Sequence, residues 1–72
     1  MFYVLRFKNK SGDFRYFNKE VNNYGVLYDC DTIASAHKLT SKIAANDLCG
    51  LLNDLNKKRG YYGKYKVIAI NK

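Results

Sequence analysis

Few residues in this chain have the types and spacing that chemistry requires. His37 is the only histidine. General acid–base catalysis needs a partner within hydrogen-bond reach, and the local sequence around His37 supplies none. Asp29 and Asp31 bracket Cys30, and two such carboxylates could share a cation. Hard cations ask for about six or more oxygen ligands, so a polar turn leading into Thr32 is the plainer reading. Cys30 and Cys49 are the only cysteines. Without a CxxC spacing they make neither a zinc site nor a disulfide framework, although a lone bridge between them stays open. No Ser/His/Asp signature and no phosphate-binding glycine loop is present. The expectation is a protein that is not an enzyme, with no catalytic residue, no metal and no cofactor.

Binding chemistry is better represented. The stretch Lys57 to Lys66, K-K-R-G-Y-Y-G-K-Y-K, holds five basic residues, three tyrosines and no acid. Cations neutralise phosphates or meet acidic side chains, and aromatic faces stack on bases. With one inserted residue, R-G-Y-Y-G-K-Y-K-V resembles the core of the RNA-recognition motif, but its companion motif is missing. The plain alternative is a helix end, a glycine turn and core tyrosines. A second basic group lies near the amino terminus: Arg6, Lys8, Lys10 and Arg15. Arg6 and Arg15 are expected as cross-strand neighbours on the face away from the core. The candidate binding residues are therefore Arg6, Lys8, Arg15, Lys57, Lys58, Arg59, Tyr61, Tyr62 and Lys64.

The elements that must position them follow from periodicity. Thr40 to Lys58 is the only helical stretch, with Ala44, Leu48, Leu51, Leu52 and Leu55 as its apolar stripe. Thr40 or Ser41 caps its first turn, Lys57, Lys58 and Arg59 suit the negative end of its dipole, and Gly60 stops it. Cys49 lies beside the stripe as a small core residue. Met1 to Lys8 alternates as a strand, with Tyr3, Leu5 and Phe7 on the core side. Asn9 to Asp13 is a turn in which Gly12 takes positive φ, and Phe14 to Asn18 completes a hairpin. Lys19 to Gly25 is the least structured piece. Val26 to Tyr28 is a short third strand ended by Asp29-Cys30-Asp31. Ile33 to Leu39 is read as a strand with Ile33 and Leu39 on one face; a helix from Thr32 is the alternative. After a Tyr61-Tyr62-Gly63 loop, Lys64 to Asn71 is a strand whose continuous Val67-Ile68-Ala69-Ile70 suggests a central or well-covered place.

The resulting order, β-β-(β)-β-α-β, makes an α+β fold: a small antiparallel sheet of three to five strands with one helix packed on one face. At 72 residues the chain is one domain with a thin core. The other face is expected to carry tyrosines and basic residues; were it apolar as well, a homodimer would cover it. Thirteen Lys plus Arg against six Asp plus Glu give a net charge of +7. Such a field attracts nucleic acid, nucleotides, an anionic membrane surface or an acidic protein surface, and it also serves solubility alone. No apolar run approaches the roughly 20 residues of a membrane span, so no membrane partner is expected. The strand pattern starts at Met1, which leaves no room for a targeting segment, and cysteine usage fits a reducing cytoplasm.

The chain also resembles the small accessory proteins encoded by bacteriophages and other mobile elements. The likeness rests on M-F-Y-V-L-R at the start, the N-K-S-G-D hairpin, K-L-T-S-K-I-A-A-N-D-L and the terminal Y-K-V-I-A-I. It implies a non-enzymatic binding protein in the cytoplasm of a bacterial host. The implied partner is a host protein, such as an anti-phage defence effector, which it would inhibit. A nucleic-acid-binding protein for RNA or single-stranded DNA is the alternative, followed by a homo-oligomeric sponge for signalling nucleotides.

Overall fold

A computed structural model describes residues 1–21, 27–60 and 64–71. The elements are β1 (Phe2–Lys8), β2 (Phe14–Val21), β3 (Leu27–Cys30), α1 (Lys42–Arg59) and β4 (Lys66–Ile70). The four strands form one antiparallel sheet in the order β3-β2-β1-β4. This is the small α+β fold expected from the sequence.

Local chemistry explains the hairpin. Gly12 takes a φ of 87°, which costs a residue without Cβ little. Asn9 closes the turn through its backbone N–H to the Asp13 carbonyl (2.9 Å) and its side-chain oxygen from the Asp13 N–H (2.9 Å). Five loop residues then pair Lys8 with Phe14, Phe7 with Arg15 and Arg6 with Tyr16.

Helix α1 begins at Ser41, whose hydroxyl accepts the Ala44 N–H at 3.2 Å. It ends at Gly60 in the left-handed conformation, φ 71°. Its buried face differs from the expected stripe. Ala45, Cys49 and Leu52 are buried, and Leu48 packs against the core from the flank. Ala44 is exposed, and Leu51 keeps 66% of its surface exposed. The buried face is thus rotated toward Ala45 and Cys49 while keeping Leu52 from the expected stripe.

The core comprises Leu5, Phe17, Cys49, Leu52 and Tyr65, with Phe7, Leu39, Leu48 and Val67 around it. Leu5 and Phe7 thus face the helix as expected. Val4, on the other face, is equally inaccessible at 0% exposure. Tyr65 meets Phe7 edge-on at 4.9 Å and Phe17 at 6.3 Å, so three rings fill what aliphatic residues would fill in a larger domain.

Three strand assignments need correction. β2 runs on to Val21, past the expected end at Asn18. β3 includes Asp29 and Cys30, which were expected to end it, because both pair with β2; Val26 lies outside the described residues. Residues 33–39 form neither strand nor helix but turns with one isolated bridge, Tyr3 to Leu39. The reason is geometric. Beyond the Arg6–Tyr16 pair, β2 parts from β1, and this segment fills the gap. Tyr3 and Leu39 exchange backbone bonds (2.7 and 2.9 Å), the His37 N–H donates to the Phe17 carbonyl (2.9 Å), and the Asn18 amide donates to the Ser35 carbonyl (3.1 Å).

β4 is shorter than the expected Lys64 to Asn71 and lies at the sheet edge, so of the two expected places the well-covered one holds. Its continuous apolar run reflects burial on two faces rather than two strand neighbours: Val67 packs on the core and Ile68 and Ile70 are half-buried opposite. The helix holds this edge through Asn53. The Asn53 side chain accepts the Tyr65 N–H at 2.7 Å and donates to the Tyr65 carbonyl at 3.1 Å. Replacing Asn53 with Ala removes both bonds from a partly buried site. The expected cost is about 1–3 kcal/mol, read as a fall in thermal midpoint of at least about 4 °C. An Asn53→Ala variant with an unchanged midpoint would show that the clamp contributes nothing.

Candidate binding surface

The side of the sheet away from α1 is covered by no helix among the described residues, but Val4 at its middle is fully buried and its neighbours are half-buried. Alternation along the paired strands places Phe2, Val4, Arg6 and Lys8 of β1 on it, together with Phe14 and Tyr16 of β2 and Lys66, Ile68 and Ile70 of β4. Two halves result. One is apolar: Phe2, Val4, Ile68 and Ile70. The other combines cations with rings.

In that second half the Arg6 guanidinium lies 4.0 Å from the Phe14 ring centroid, and the Lys8 ammonium lies 5.7 Å from it. Lys66 pairs directly with Arg6 across β1 and β4. Phe14 keeps 47% of its surface exposed. The guanidinium stack holds a long, flexible side chain in place and orders the charge before any partner arrives. Lys38 extends the pattern beyond the strands: its ammonium is 5.7 Å from the Phe2 ring and donates to the Ala34 carbonyl at 2.8 Å.

Arg6 and Lys8 are thus brought together, but Arg15 is not with them. The hairpin pairs residues whose numbers sum to 22, so Arg6 meets Tyr16 and Arg15 meets Phe7. Arg15 stands on the helix side, where it donates to Asp29 at 2.7 and 3.2 Å. Asp29 pushes the Arg15 pKa up, first through this hydrogen bond. Both side chains are about a third exposed, so the pair is worth at most about 1 kcal/mol. Its effect on the site is to engage both Arg15 and one of the two carboxylates beside Cys30.

Lys57, Lys58 and Arg59 form the exposed last turn of α1. Asn53, one turn earlier, holds Tyr65, which directly precedes Lys66. These cations therefore share an end of the molecule with Arg6, Lys8 and Lys66 while lying on the helix side. Lys64 is exposed between them. Tyr61 and Tyr62 lie outside the described residues.

Phe14 and Lys66 are the members missing from the candidate binding residues, Lys66 lying at the end of the basic stretch and paired with Arg6; Phe14 is the one with no basic run to mark it. Its parity with Lys8 and Arg6 across a five-residue turn was the signal that carried it. The third tyrosine of the basic stretch, Tyr65, is a core residue with 6% exposure, and burial pushes its pKa up to about 12.

The groups considered for chemistry are placed as follows. His37 packs its ring edge-to-face on Phe17 at 6.0 Å and gives its backbone N–H to the same residue. Cys30 and Cys49 are both free thiols, which closes the option of a bridge between them. Cys30 is half-buried and donates to the Thr32 carbonyl at 3.4 Å. Cys49 is buried and donates to the Tyr65 carbonyl at 3.2 Å; burial pushes its pKa up, against the opposing effect of Asn53. Among the described residues no cluster of three metal-binding side chains occurs, and no helix is long and apolar enough to cross a membrane.

No protein-family model matches the chain, and neither does any curated protein or solved structure.

The Tyr65 shift gives a stability prediction with a definite sign. An unfolded tyrosine ionises near pH 10, and the folded state holds the Tyr65 proton until about pH 12. Its contribution is complete below about pH 10 and is lost as pH rises toward 12, amounting to about 2–3 kcal/mol at the end. Denaturant melts of the wild type should weaken more steeply over this range than those of a Tyr65→Phe variant. Parallel pH profiles would contradict the assignment.

Proposed function

We propose that this chain is a non-enzymatic binding protein of the phage accessory kind, which occupies an acidic surface of a host protein through its open sheet face. The observation that carries the reading is the half-exposed Phe14 ring under Arg6 and Lys8, with Lys66 paired to Arg6 on the next strand. An aromatic anchor beside ordered cations is what an acidic protein patch requires: the ring supplies desolvated contact and the cations supply steering and register. Lys57, Lys58, Arg59 and Lys64 extend the positive field around the same end. The phage likeness of the sequence supplies the host target and its inhibition, with defence effectors as the leading class.

A second reading rests on the same ring. An exposed aromatic on a sheet with flanking cations also suits single-stranded nucleic acid, with a base on Phe14 and phosphates on the cations. Nucleotide capture has less support. The open concavity on the outer side of α1 is lined by Asn46, Asp47, Gly50, Leu51 and Asp54, and its two carboxylates repel phosphate.

The experiment compares wild type with a Phe14→Ala/Lys66→Glu variant, each immobilised in bacterial lysate at low salt and at about 1 M salt, where the Debye length is about 3 Å. The expected result is a stoichiometric host protein held by the wild type and weakened at least about tenfold by the variant. Binding of a purified single-stranded oligonucleotide that falls steeply with salt would transfer the function to nucleic acid. A variant that retains the same partner at full strength would remove this face from the function altogether.

A further inference from the structure

The β4 edge offers a second and independent surface. Tyr3 spends its backbone N–H and carbonyl on Leu39, on the β2 side of β1. Alternation then turns the backbone groups of Phe2, Val4 and Arg6 toward β4, where they meet Ile70, Ile68 and Lys66. On β4 itself the groups of Tyr65, Val67 and Ala69 must point outward. Those of Tyr65 are both taken by Asn53. Among the described residues nothing takes the outward groups of Val67 and Ala69. A short run of apolar, unpaired strand is left open, closed at one end by an asparagine from the helix. Such an edge is a template for another strand.

We propose that this edge pairs with a second copy of the chain, β4 against β4 in antiparallel register about a twofold axis at Ile68. In that register Val67 lies opposite Ala69 of the second copy and Ala69 opposite its Val67. Every open outward group then finds a reciprocal partner. Lys66 faces Ile70 of the second copy and never another Lys66, so the one charged position in β4 meets no like charge across the junction. Ile68 meets its own counterpart on the open face, beside Ile70 and Phe2, and the apolar halves of both faces join. The helix fits the same geometry. Among the described residues its backbone approaches that of β1 and β4 and not that of β2 or β3. Strands are spaced about 4.8 Å apart, so two such helices would stand about two strand spacings apart, roughly 10 Å, within the usual range for packed helices. Asn53 marks the flank that faces this edge, and Asn46, two turns earlier on that flank, is also short. An extended peptide from another protein would satisfy the backbone groups but not the helix spacing. Because Asn53 occupies Tyr65, pairing cannot run on past the strand, and the twofold arrangement closes.

The test is sedimentation of the full chain at about 0.1 mM, a concentration that populates any dimer of micromolar affinity. The wild type should show twice the monomer mass. Ala69→Pro removes an outward N–H, which an edge strand tolerates, and should yield a folded monomer. In a Cys30→Ser background, Ile68→Cys should form a disulfide-linked dimer under mild oxidation, since facing residues at a non-hydrogen-bonded pair sit at a distance a disulfide spans. A wild type that stays monomeric overturns the proposal, as does an Ala69→Pro variant that folds and remains dimeric. Should Ala69→Pro fail to fold, the cross-link decides: its formation supports the pairing and its absence overturns it. None of these outcomes bears on the cation and ring cluster around Phe14, because Arg6, Lys8 and Phe14 lie in the other half of the open face.

Discussion

One helix cannot cover four strands. A helix with its side chains is about 10 Å across, while four strands at about 4.8 Å spacing span nearly twice that. In this chain, among the described residues, the backbone of α1 lies over β1 and β4, and β2 joins the core through Phe17. The rest of the architecture answers that shortfall. β2 parts from β1 after Tyr16, and the irregular segment ending at Leu39 enters the gap, tying itself to Tyr3 and Phe17 through backbone bonds. Large rings complete the core where a second helix would otherwise lie: Tyr65, Phe7 and Phe17 meet edge to face. On the reverse of the sheet, where the candidate binding surface lies, Val4 is buried while Lys8, Phe14 and Lys66 are exposed.

Covering the sheet at its β4 side rather than its centre has a further consequence. An edge strand must either be paired or blunted, because its outward backbone groups invite other strands. Asn53 blunts it at Tyr65 with an amide that imitates a neighbouring strand, offering one acceptor and one donor at the spacing of a peptide unit. That bond also fixes the helix relative to β4 and carries Cys49 and Leu52 into the core beside Tyr65. One side chain therefore sets both the helix position and the length of open edge.

Much of this was legible in the sequence. Ser41 and Gly60 bounded the helix because capping chemistry is local, and Gly12 fixed the hairpin for the same reason. What failed depended on tertiary geometry. Leucine spacing pointed to Ala44 and Leu51, which are exposed, and passed over Ala45, while Leu48, Leu52 and Cys49 pack inward as expected. The Ile33 to Leu39 segment has strand-like residues, yet only one bridge forms because its place is a wedge between diverging strands. The apolar continuity of β4 left a central and a well-covered place open, and the second holds, because two half-covered faces produce the same pattern as two strand neighbours. The Arg6 and Arg15 pairing failed on parity alone: a five-residue loop pairs even-numbered residues with even, and the two arginines must part to opposite faces.

Parity also decides the character of the surface. With Lys8 opposite Phe14 and Arg6 opposite Tyr16 and Lys66, each cation on the open face has an aromatic or a second cation beside it. Arg15, displaced to the helix side, is engaged by Asp29. The carboxylate is thereby kept off the open face, and the positive field there is not diluted by it. Arg6 is held on Phe14 by its flat guanidinium, which leaves its donors directed outward while its stem is already ordered. A partner that meets this face does not have to immobilise that side chain, and the entropy that a free arginine would lose on binding is largely spent during folding. The grouping of cations and rings on this half of the face comes from the order of residues in one hairpin rather than from the total charge of the chain.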